Sequence, residues 1–439
     1  MLDTMYIFLR ITKLITMVMW EIMKFNAKKY INYLYNKPTY RLELIKKISK
    51  KLEQENIVYV KIFQALCFDR DLLSSKEQAY LLKYTDNVPY EHYEIDYDLL
   101  DKLEDDFSIT LKSKIPINCG IIGLAFEGID SSNNKVIIKM LKNNIITKFT
   151  NVFDELLFIS YICKYIPYIK SLKITKILLD NEEILLHQMD FMKEVEAIEL
   201  FTTKYKNNKE YKFPRVYREI TEQHNNLLVM ENIKGLRYKD IETMSTTIKE
   251  EFAYLLHKFG MLGILYYSTI HCDLHSGNVF FYINDETSLI NTEVPKYSVG
   301  IIDLGICCFP NKENQNAYYI FLNDIVMNQN YTDVEKLLYA IIEEKEVYVS
   351  FNAIKKQQFI NETIKCLELN TKAEVNTRLL IDLSKLFNKY NLNFTEEFNK
   401  IILSIHVVDH FGKELSQNVK ACQTKVLNEL DKFNKLISI

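Results

Sequence analysis

"TIHCDLHSGNVFFY", residues 269–282, places a cluster of polar side chains directly in front of an apolar run. His271, Asp273 and Asn278 bring an imidazole, a carboxylate and an amide into one short loop. A second acid, Asp303, follows the strand-like run VGII in "VGIIDLGICCF". A metal site, a buried polar turn and a loop that handles phosphate are all compatible with this pattern.

The composition indicates a large and mainly helical protein. The 439 residues suffice for two or three domains, and 48% hydrophobic residues can supply a sizeable core. Only 10 Gly and 7 Pro interrupt the chain, so long helices are expected. The formal net charge of −3 gives no overall attraction to nucleic acid, and no nucleic-acid partner is predicted.

The eight cysteines show no CxxC pair and no framework spacing. This pattern is typical of reduced thiols in a reducing compartment, and zinc ligation by this set is not expected. The sequence therefore predicts an intracellular protein.

The N-terminal segment "MLDTMYIFLRITKLITMVMWEIMKF" is apolar, but Arg10, Lys13 and Glu21 interrupt it. A membrane-spanning helix needs about 20 nearly uncharged residues, and a secretion signal has no basic residue inside its apolar region. The segment predicts an amphipathic helix packed on the protein. A helix that lies on a membrane surface is the alternative.

Hydrophobic periodicity gives the order of the elements. Residues 1–35 and 40–85 predict helices with a break at Asn36–Pro38. Residues 121–127 and 136–141 predict the strands of a hairpin with the turn DSSNN. Further predictions are helices at 149–166 and 190–206, a strand at 226–232, a helix starting with a capping box at Thr247 and Glu250, strands near 279–283 and 297–302, and helices from about 315 onward.

The chemistry-bearing residues follow the order that protein-kinase-like phosphoryl transfer requires. Lys139 on a hairpin strand would reach the α- and β-phosphates, and Glu194 on a later helix would pair with it. Asp273 would orient or deprotonate the acceptor hydroxyl, while Asn278 and Asp303 would bind magnesium. Each residue alone also fits an ordinary surface position, but the complete ordered set favours a nucleotide site.

A transition-metal site is the rival interpretation of the same loop. His271, Asp273 and His275 alternate as H-x-D-x-H and could converge on one ion. No distant His or Cys cluster completes the set, so His271 is better explained as a buried, hydrogen-bonded residue of the loop.

The sequence is similar to the UbiB, or aarF-domain, family of atypical kinase-like proteins from the first helix to about residue 310. "HCDLHSGNVFF" resembles the family's H-x-D-x-H-P-G-N, with Ser276 for Pro, and "IIDLG" resembles its IDFG, with Leu304 for Phe. "LLVMENIKG" resembles the hinge stretch LVMEYIxG, and "KFPRVYREIT" resembles VPxVY. The resemblance implies an α+β, protein-kinase-like, two-lobed fold with an N-terminal helical extension and a helical C-terminal lobe.

The resemblance also implies a domain division and two ligands. Residues 1–110 would form the helical extension, 111–235 the kinase-like N-lobe, and 236–439 the helical C-lobe. ATP or ADP with Mg²⁺ would be bound, and backbone groups around Glu231 and Ile233 would hold adenine.

The most diagnostic similarity lies upstream, where "KIFQALCFDRDLLSSKEQAYLLKYTDNVP" resembles the family's K-x-G-Q segment. In the family this segment folds over the active site and can exclude a protein substrate. Lys61 and Gln64 carry over as regulatory residues, together with Asp190 of the family's E-x-D. Phe63 replaces the motif glycine, and phenylalanine does not share the backbone freedom of glycine. Gln188 replaces the E-x-D glutamate, so a salt bridge from Lys61 would become a neutral hydrogen bond.

A further departure concerns the phosphate loop, which is alanine-rich in the family and reads "NCGIIG" here. Gly120 stands at an alanine position and Gly123 is shared. Because glycine permits a closer backbone approach to phosphate, we expect nucleotide handling nearer to that of ordinary kinases.

Three functional interpretations follow. The first is a magnesium-dependent kinase or ATPase acting on a small or lipid-linked substrate near a membrane, in a family that often supports isoprenoid-quinone synthesis. The second is a nucleotide-binding pseudokinase scaffold without turnover. The third is a small-molecule kinase of the aminoglycoside or choline type, against which the K-I-F-Q segment argues. A membrane surface and a second copy of the chain are open as partners.

Overall fold

The structure is a computed structural model that describes residues 2–35, 40–56, 58–59, 77, 80, 88, 90–163, 182, 186–284, 294–371, 377–416, 425–426 and 429. The chain divides into two compact units, residues 1–192 with 217–232, and residues 193–216 with 233–439. The mixture of helices and small sheets confirms the predicted α+β class. The three-part division predicted from the sequence stays a prediction.

The first unit combines helices with one antiparallel sheet. Its helices are α1 (Leu2–Leu34), α2 (Arg41–Glu55), a 3₁₀ turn (His92–Glu94), α3 (Tyr97–Phe107), α4 (Ile145–Cys163) and α6 (Arg218–Gln223). Its strands are β1 (Thr110–Leu111), β2 (Asn118–Cys119), β3 (Gly123–Ile129), β4 (Lys135–Leu141) and β6 (Leu227–Glu231).

The sheet of the first unit has the order β1-β3-β4-β6, and β2 also pairs with β3. The strands of the β3–β4 hairpin pair from Gly123–Leu141 to Ile129–Lys135, which confirms the predicted hairpin. Alternate residues of the hairpin are buried, as the period of a half-buried strand requires. The core on one face of the sheet contains Leu100, Leu103, Phe126, Val136, Ile138, Met140 and Val229.

The second unit is mainly helical. Its helices are α5 (Phe191–Lys204, which begins at the unit border), α7 (Tyr238–Glu242), α8 (Thr246–Leu262), α9 (Lys312–Tyr319), α10 (Val334–Ile341), α11 (Lys345–Val349), α12 (Ala353–Thr371), α13 (Thr377–Lys389) and α14 (Glu396–Leu415), with π-helical turns at Gly263–Tyr267 and Ile320–Met327. Its strands are β5 (Tyr211–Lys212), β7 (Ile270–His271), β8 (Val279–Ile283), β9 (Tyr297–Ile301) and β10 (Cys307–Cys308).

Two small sheets position the polar loop of the second unit. One has the order β5-β9-β8, and the other pairs β7 with β10. The predicted strands near 279–283 and 297–302 are confirmed by β8 and β9. Helix α8 lies under this region, and the surrounding core contains Phe252, Leu256, Phe259, Phe281, Val299, Ile301, Val408 and Phe411.

Two predicted helix boundaries differ from the structure. The helix predicted at 40–85 is interrupted because α2 ends at Glu55, where the Asn56 side chain donates to the Lys148 carbonyl at 3.0 Å and accepts from the Val58 amide at 3.0 Å. Residues 58, 59, 77 and 80 are helical, and the other residues of 60–87 lie outside the described residues. Helix α8 begins after Ser245, so Thr247 and Glu250 do not form its capping box. The end of α2 depends on a tertiary contact that the local pattern does not contain. The start of α8 was predicted two residues too late.

Helices α8 and α14 pack closely because glycine stands where they approach each other. A Cβ on Gly412 would overlap the buried ring of His257. A Cβ on Gly260 would make only ordinary contacts of 3.4–3.9 Å with Val408. The interface therefore has no room for a side chain at position 412 but has room for one at position 260.

We expect Gly412→Ala to lower the free energy of unfolding by about 1–3 kcal/mol, because overpacking outweighs the gain in helix propensity. The matched variant Gly260→Ala should be neutral or stabilising by up to about 1 kcal/mol. Urea unfolding of both variants measures the difference. Equal stabilities of the two variants would contradict this packing.

Candidate functional site

The polar loop is set up by the end of helix α8. The helix widens into the π-helical turn Gly263–Tyr267, where a Cβ on Gly263 would overlap the Thr269 carbonyl oxygen. Ser268 then adopts a left-handed conformation with φ 51° and ends the helix. The chain turns directly into β7 and the loop that follows.

Backbone and side-chain hydrogen bonds hold the start of the loop. The buried His271 accepts the Asp273 amide on Nδ1 at 3.0 Å, and its carbonyl accepts the Ser404 hydroxyl of α14 at 2.8 Å. The Cys272 amide donates to the Ile306 carbonyl at 2.9 Å. His271 is therefore a structural residue of the loop, as predicted.

Asn278 closes the loop. Its side-chain Nδ2 donates to the Asp273 carbonyl at 3.1 Å, and its backbone amide donates to the His275 carbonyl at 2.9 Å. Its own carbonyl accepts the Ile302 amide at 3.1 Å, one residue before Asp303. The Asn278 side chain is 8% exposed, so these bonds form in a nearly dry environment.

Asp303 and Glu194 lie around the same glycine. Asp303 follows β9 and accepts the Gly305 amide on Oδ1 at 3.1 Å. A Cβ on Gly305 would lie 3.3 Å from Asp303 Oδ1 and 3.8 Å from Glu194 Oε2. Glu194, in the first turn of α5, is buried. Glycine at position 305 thus lets two carboxylates approach one turn of backbone.

The thiols near the loop are neutral at neutral pH. Burial, followed by the neighbouring Cys272 and the Asp303 and Glu194 carboxylates, holds the pKa of Cys307 well above its usual range. Burial likewise raises the pKa of Cys272. Across the part of the chain that the structure describes, no group of three or more His, Cys, Asp or Glu side chains could hold a metal ion. The H-x-D-x-H alternative gains no support from this loop.

The second unit therefore joins four of the predicted residues: Glu194, Asp273, Asn278 and Asp303. One guanidinium that the sequence analysis missed also contacts this loop. Arg237 donates from Nη1 to the Gly277 carbonyl at 3.2 Å and stacks over the Phe280 ring at 3.8 Å. No sequence signal marks this arginine, because both contacts join residues 40 or more positions apart.

Lys139 lies in the first unit, on β4. Its cross-strand neighbours are Ala125 on β3 and Leu228 on β6. Strand alternation places Lys139 on the face opposite the buried Ile138 and Met140. The lysine is half-buried on a largely apolar sheet face.

Residues 120–123 form the turn between β2 and β3. The Gly120 amide donates to the Gly123 carbonyl at 2.9 Å. A Cβ on Gly123 would lie 3.0 Å from the Met140 carbonyl oxygen, whereas one on Gly120 would make an ordinary contact of 3.5 Å. Packing thus disfavours a side chain at position 123 but leaves room for one at position 120.

A buried ionic cluster supports this turn, and the sequence analysis missed it. Lys142, whose amide donates to the Ile122 carbonyl at 3.0 Å, pairs with Glu94 at 3.2 Å. Glu94 also pairs with Lys148 at 2.7 Å. Burial alone would raise the pKa of Glu94, but the two lysines outweigh it and lower the pKa.

The remaining predicted residues are spread along the chain. Glu231 is exposed at the end of β6, and Ile233 is half-buried. Among the described residues, the Ile233 amide has no backbone hydrogen-bond partner. Asp190 accepts the Met192 amide at 3.1 Å and caps the start of α5. Lys61 and Gln64 lie outside the described residues.

Gln188, which replaces the glutamate of E-x-D, is half-buried in the first unit. Its Oε1 is buried and has no hydrogen-bond partner among the residues that the structure describes.

Comparison with known proteins identifies the family. The model of the ABC1 atypical kinase-like domain matches residues 91–338. A Clostridium pasteurianum protein from the hydrogenase 1 5′ region is 24% identical over 82% of this chain and 66% of its own length. The probable protein kinase UbiB of Shewanella oneidensis is 29% identical over 57% of this chain and 45% of its own length.

A solved structure is also similar. The Rv3197–erythromycin complex from Mycobacterium tuberculosis has a TM-score of 0.40 and 14% identity, and covers 80% of this chain and 90% of that chain. The chain spans two thirds or less of the length of these two curated relatives. Because the family model covers more than half of the sequence, this protein belongs to the ABC1 atypical kinase-like family together with UbiB and aarF-domain proteins, and the resemblance and kinase-like fold predicted from the sequence are confirmed.

Proposed function

We propose that this protein is a magnesium-dependent, ATP-binding atypical kinase or ATPase of the UbiB type. The observation that carries the proposal is the hydrogen bonding of Asn278, which links the Asp273 loop to the residue that precedes Asp303. Phosphoryl transfer depends mainly on positioning and charge neutralisation, and this linkage supplies a fixed frame for both.

Asp273 is the proposed catalytic residue. Its amide is tied to His271 and its carbonyl to Asn278, while its side chain is 45% exposed. A fixed backbone with an accessible carboxylate suits a group that must receive the proton of an incoming hydroxyl. Asp273 would orient the acceptor and take up that proton as the new O–P bond forms.

Asn278 and Asp303 are the proposed magnesium ligands. Because the Asn278 Nδ2 is engaged by the Asp273 carbonyl, its Oδ1 is the atom left to face a cation. An amide oxygen and a carboxylate suit Mg²⁺, which prefers oxygen ligands and takes few from the protein. Bound there, the ion would neutralise the phosphate charge.

The remaining predicted residues would make the other contacts with the nucleotide. Lys139 would neutralise the α- and β-phosphates. The turn that contains Gly120 and Gly123 would carry the phosphates, and backbone groups at Glu231 and Ile233 would hold adenine. The half-buried lysine and the backbone amide of Ile233 support this part of the proposal.

The acceptor is proposed as a small or lipid-linked molecule near a membrane. A pseudokinase scaffold is the second candidate, and the half-buried, neutral Gln188 in place of the family's glutamate favours it. Both candidates would bind ATP, but only the kinase or ATPase would turn it over.

Magnesium with ATP should raise the melting temperature of the wild type by on the order of 5 °C at saturating ligand. Asp303→Asn should abolish the magnesium-dependent part, because the substitution removes the ligand charge. The isosteric control Asp333→Asn, at the start of α10, should retain the full shift. A thermal shift assay with and without magnesium measures all three proteins, and no shift in the wild type would refute nucleotide binding.

The same preparations distinguish the enzyme from the scaffold. Asp273→Asn should bind magnesium and ATP like the wild type but release phosphate about 10²–10⁴-fold more slowly. Nucleotide binding by a wild type without any phosphate release would instead establish the scaffold.

Gly120→Ala should weaken ATP binding by about fivefold, the equivalent of one backbone hydrogen bond to phosphate. The Cβ has room in the free protein, so the melting temperature without nucleotide should not change. Titration calorimetry with ATP and ADP measures the effect, with Gly260→Ala as the control. Unaltered affinities for both nucleotides would contradict a phosphate-binding role for this glycine.

We further propose that α1 lies on a membrane surface. Most of the large exposed apolar side chains described on α1 lie on one arc of the helix at about 100° per residue, and no Asp, Glu, Lys or Arg falls within that arc. Its exposed members are Phe8, Leu9, Ile15, Met19, Trp20, Met23, Tyr30, Tyr33 and Leu34. The exposed Ile31 lies outside the arc, at the angular position of Lys13.

The opposite face and the charge of α1 fit the same proposal. Ile11, Leu14 and Glu21 are buried on the side that packs on the protein. The helix carries five basic and two acidic residues, so its charge suits anionic lipid. Among the described residues, no helix is long and apolar enough to cross a bilayer.

Trp20 is the only tryptophan of the chain and is 52% exposed on this arc, so its fluorescence reports lipid contact directly. Phosphatidylcholine vesicles with phosphatidylserine should shift its emission to shorter wavelength and carry the protein into the pellet. Met19→Glu with Met23→Glu should abolish sedimentation, because two charges enter the apolar arc.

The control for this prediction is Ile354→Glu with Leu369→Glu, which places two charges on exposed positions of α12. This control should sediment like the wild type. Two results together would instead assign the arc to a second copy of the chain. The wild type would stay in the supernatant and elute as a dimer, and Met19→Glu with Met23→Glu would dissociate that dimer.

A further inference from the structure

His275 lies between two parts of the Asp273 loop. Its Nδ1 accepts the Gly277 amide at 3.1 Å. Its Nε2 lies 3.8 Å from Oδ2 of Asp273. The side chains of His275 and Asp273 are 41% and 45% exposed, so the imidazole faces the carboxylate at the open side of the loop.

The Gly277 bond determines where the imidazole carries its proton. A neutral imidazole has one N–H and one acceptor nitrogen, and a charged ring has no acceptor. Because Nδ1 accepts from Gly277, the single proton of a neutral ring is on Nε2. An N–H donor therefore faces the Asp273 carboxylate.

The ring is also held in place. A Cβ on Gly277 would lie only 2.8 Å from His275 Cε1, so glycine at 277 lets the ring lie against the backbone. The Gly277 carbonyl accepts Arg237 Nη1 at 3.2 Å, and Arg237 stacks on Phe280 at 3.8 Å. The peptide that fixes the imidazole is thus itself anchored to another segment of the second unit.

We propose that His275 is a positioning residue that orients the Asp273 carboxylate through its Nε2–H. This inference rests on the proposed phosphoryl transfer, in which Asp273 must accept a proton in a defined direction. The 3.8 Å separation would shorten when an acceptor hydroxyl occupies the loop, since catalytic hydrogen bonds are often long in free enzymes.

Two substitutions separate the two nitrogens of the ring. His275→Asn keeps an acceptor near the Nδ1 position but ends before Asp273, whereas His275→Gln extends an amide N–H to the Nε2 position. We expect His275→Asn to lower kcat by on the order of tenfold with an unchanged KM for ATP, because general-base catalysis is lost in part. His275→Gln should recover most of kcat, and the control His410→Asn, on the exposed face of α14, should match the wild type.

A double-mutant cycle ties the effect to Asp273. In an Asp273→Asn background, His275→Asn should cause no further loss, because the partner that it orients is already absent. Additive losses, or a His275→Asn enzyme with the kcat of the wild type, would overturn the proposal.

The tautomer can be measured without any turnover. Protein labelled with ¹⁵N-histidine should show the His275 proton on Nε2, with the signal assigned by its loss in His275→Asn. The Nε2 signal should move in Asp273→Asn. A proton on Nδ1, or an Nε2 signal that is unchanged in Asp273→Asn, would overturn the positioning role. A wild type without turnover would refute only the kinase or ATPase function.

Discussion

The side-chain amide of Asn278 is the constraint on which the polar loop depends. It donates to the Asp273 carbonyl, while the backbone of the same residue bonds to His275 and Ile302. A buried polar group left without its partner costs about 1–3 kcal/mol, so these bonds specify one loop conformation strongly. The positions of Asp273 and Asp303 follow from this one residue, although the two acids are far apart in sequence.

The loop is held equally from its other side by elements that carry no proposed catalytic residue. Ser404 of α14 bonds the His271 carbonyl, and β7 pairs with β10 directly after the Asp303 turn. Helix α14 reaches the loop because glycine at 412 lets it pack against His257 of α8. Helix α14 thus supports the geometry of the loop, although it carries no proposed catalytic residue.

The sequence predicted those parts of the structure that depend on local pattern. The hairpin around Lys139 and the helix that carries Glu194 follow from periodicity alone, and both are confirmed. The early end of α2 at Asn56 was missed because it depends on a hydrogen bond to Lys148. The Arg237 contacts and the Glu94 cluster were missed for the same reason, since no local window contains both partners.

The Glu94 cluster has a consequence for the extension that precedes the sheet. Both partners of the Glu94–Lys142 pair are nearly fully buried, and removal of one charge from such a pair typically costs about 3–5 kcal/mol. The Asn143 amide also bonds to the Glu94 carbonyl, and the Val88 amide bonds to the Cys119 carbonyl. These bonds cross the predicted boundary at residue 110, so the segment before the sheet is part of the support of the glycine turn. These bonds fix the backbone of the turn. Because packing does not require glycine at position 120, a bound ligand is the best explanation for glycine there.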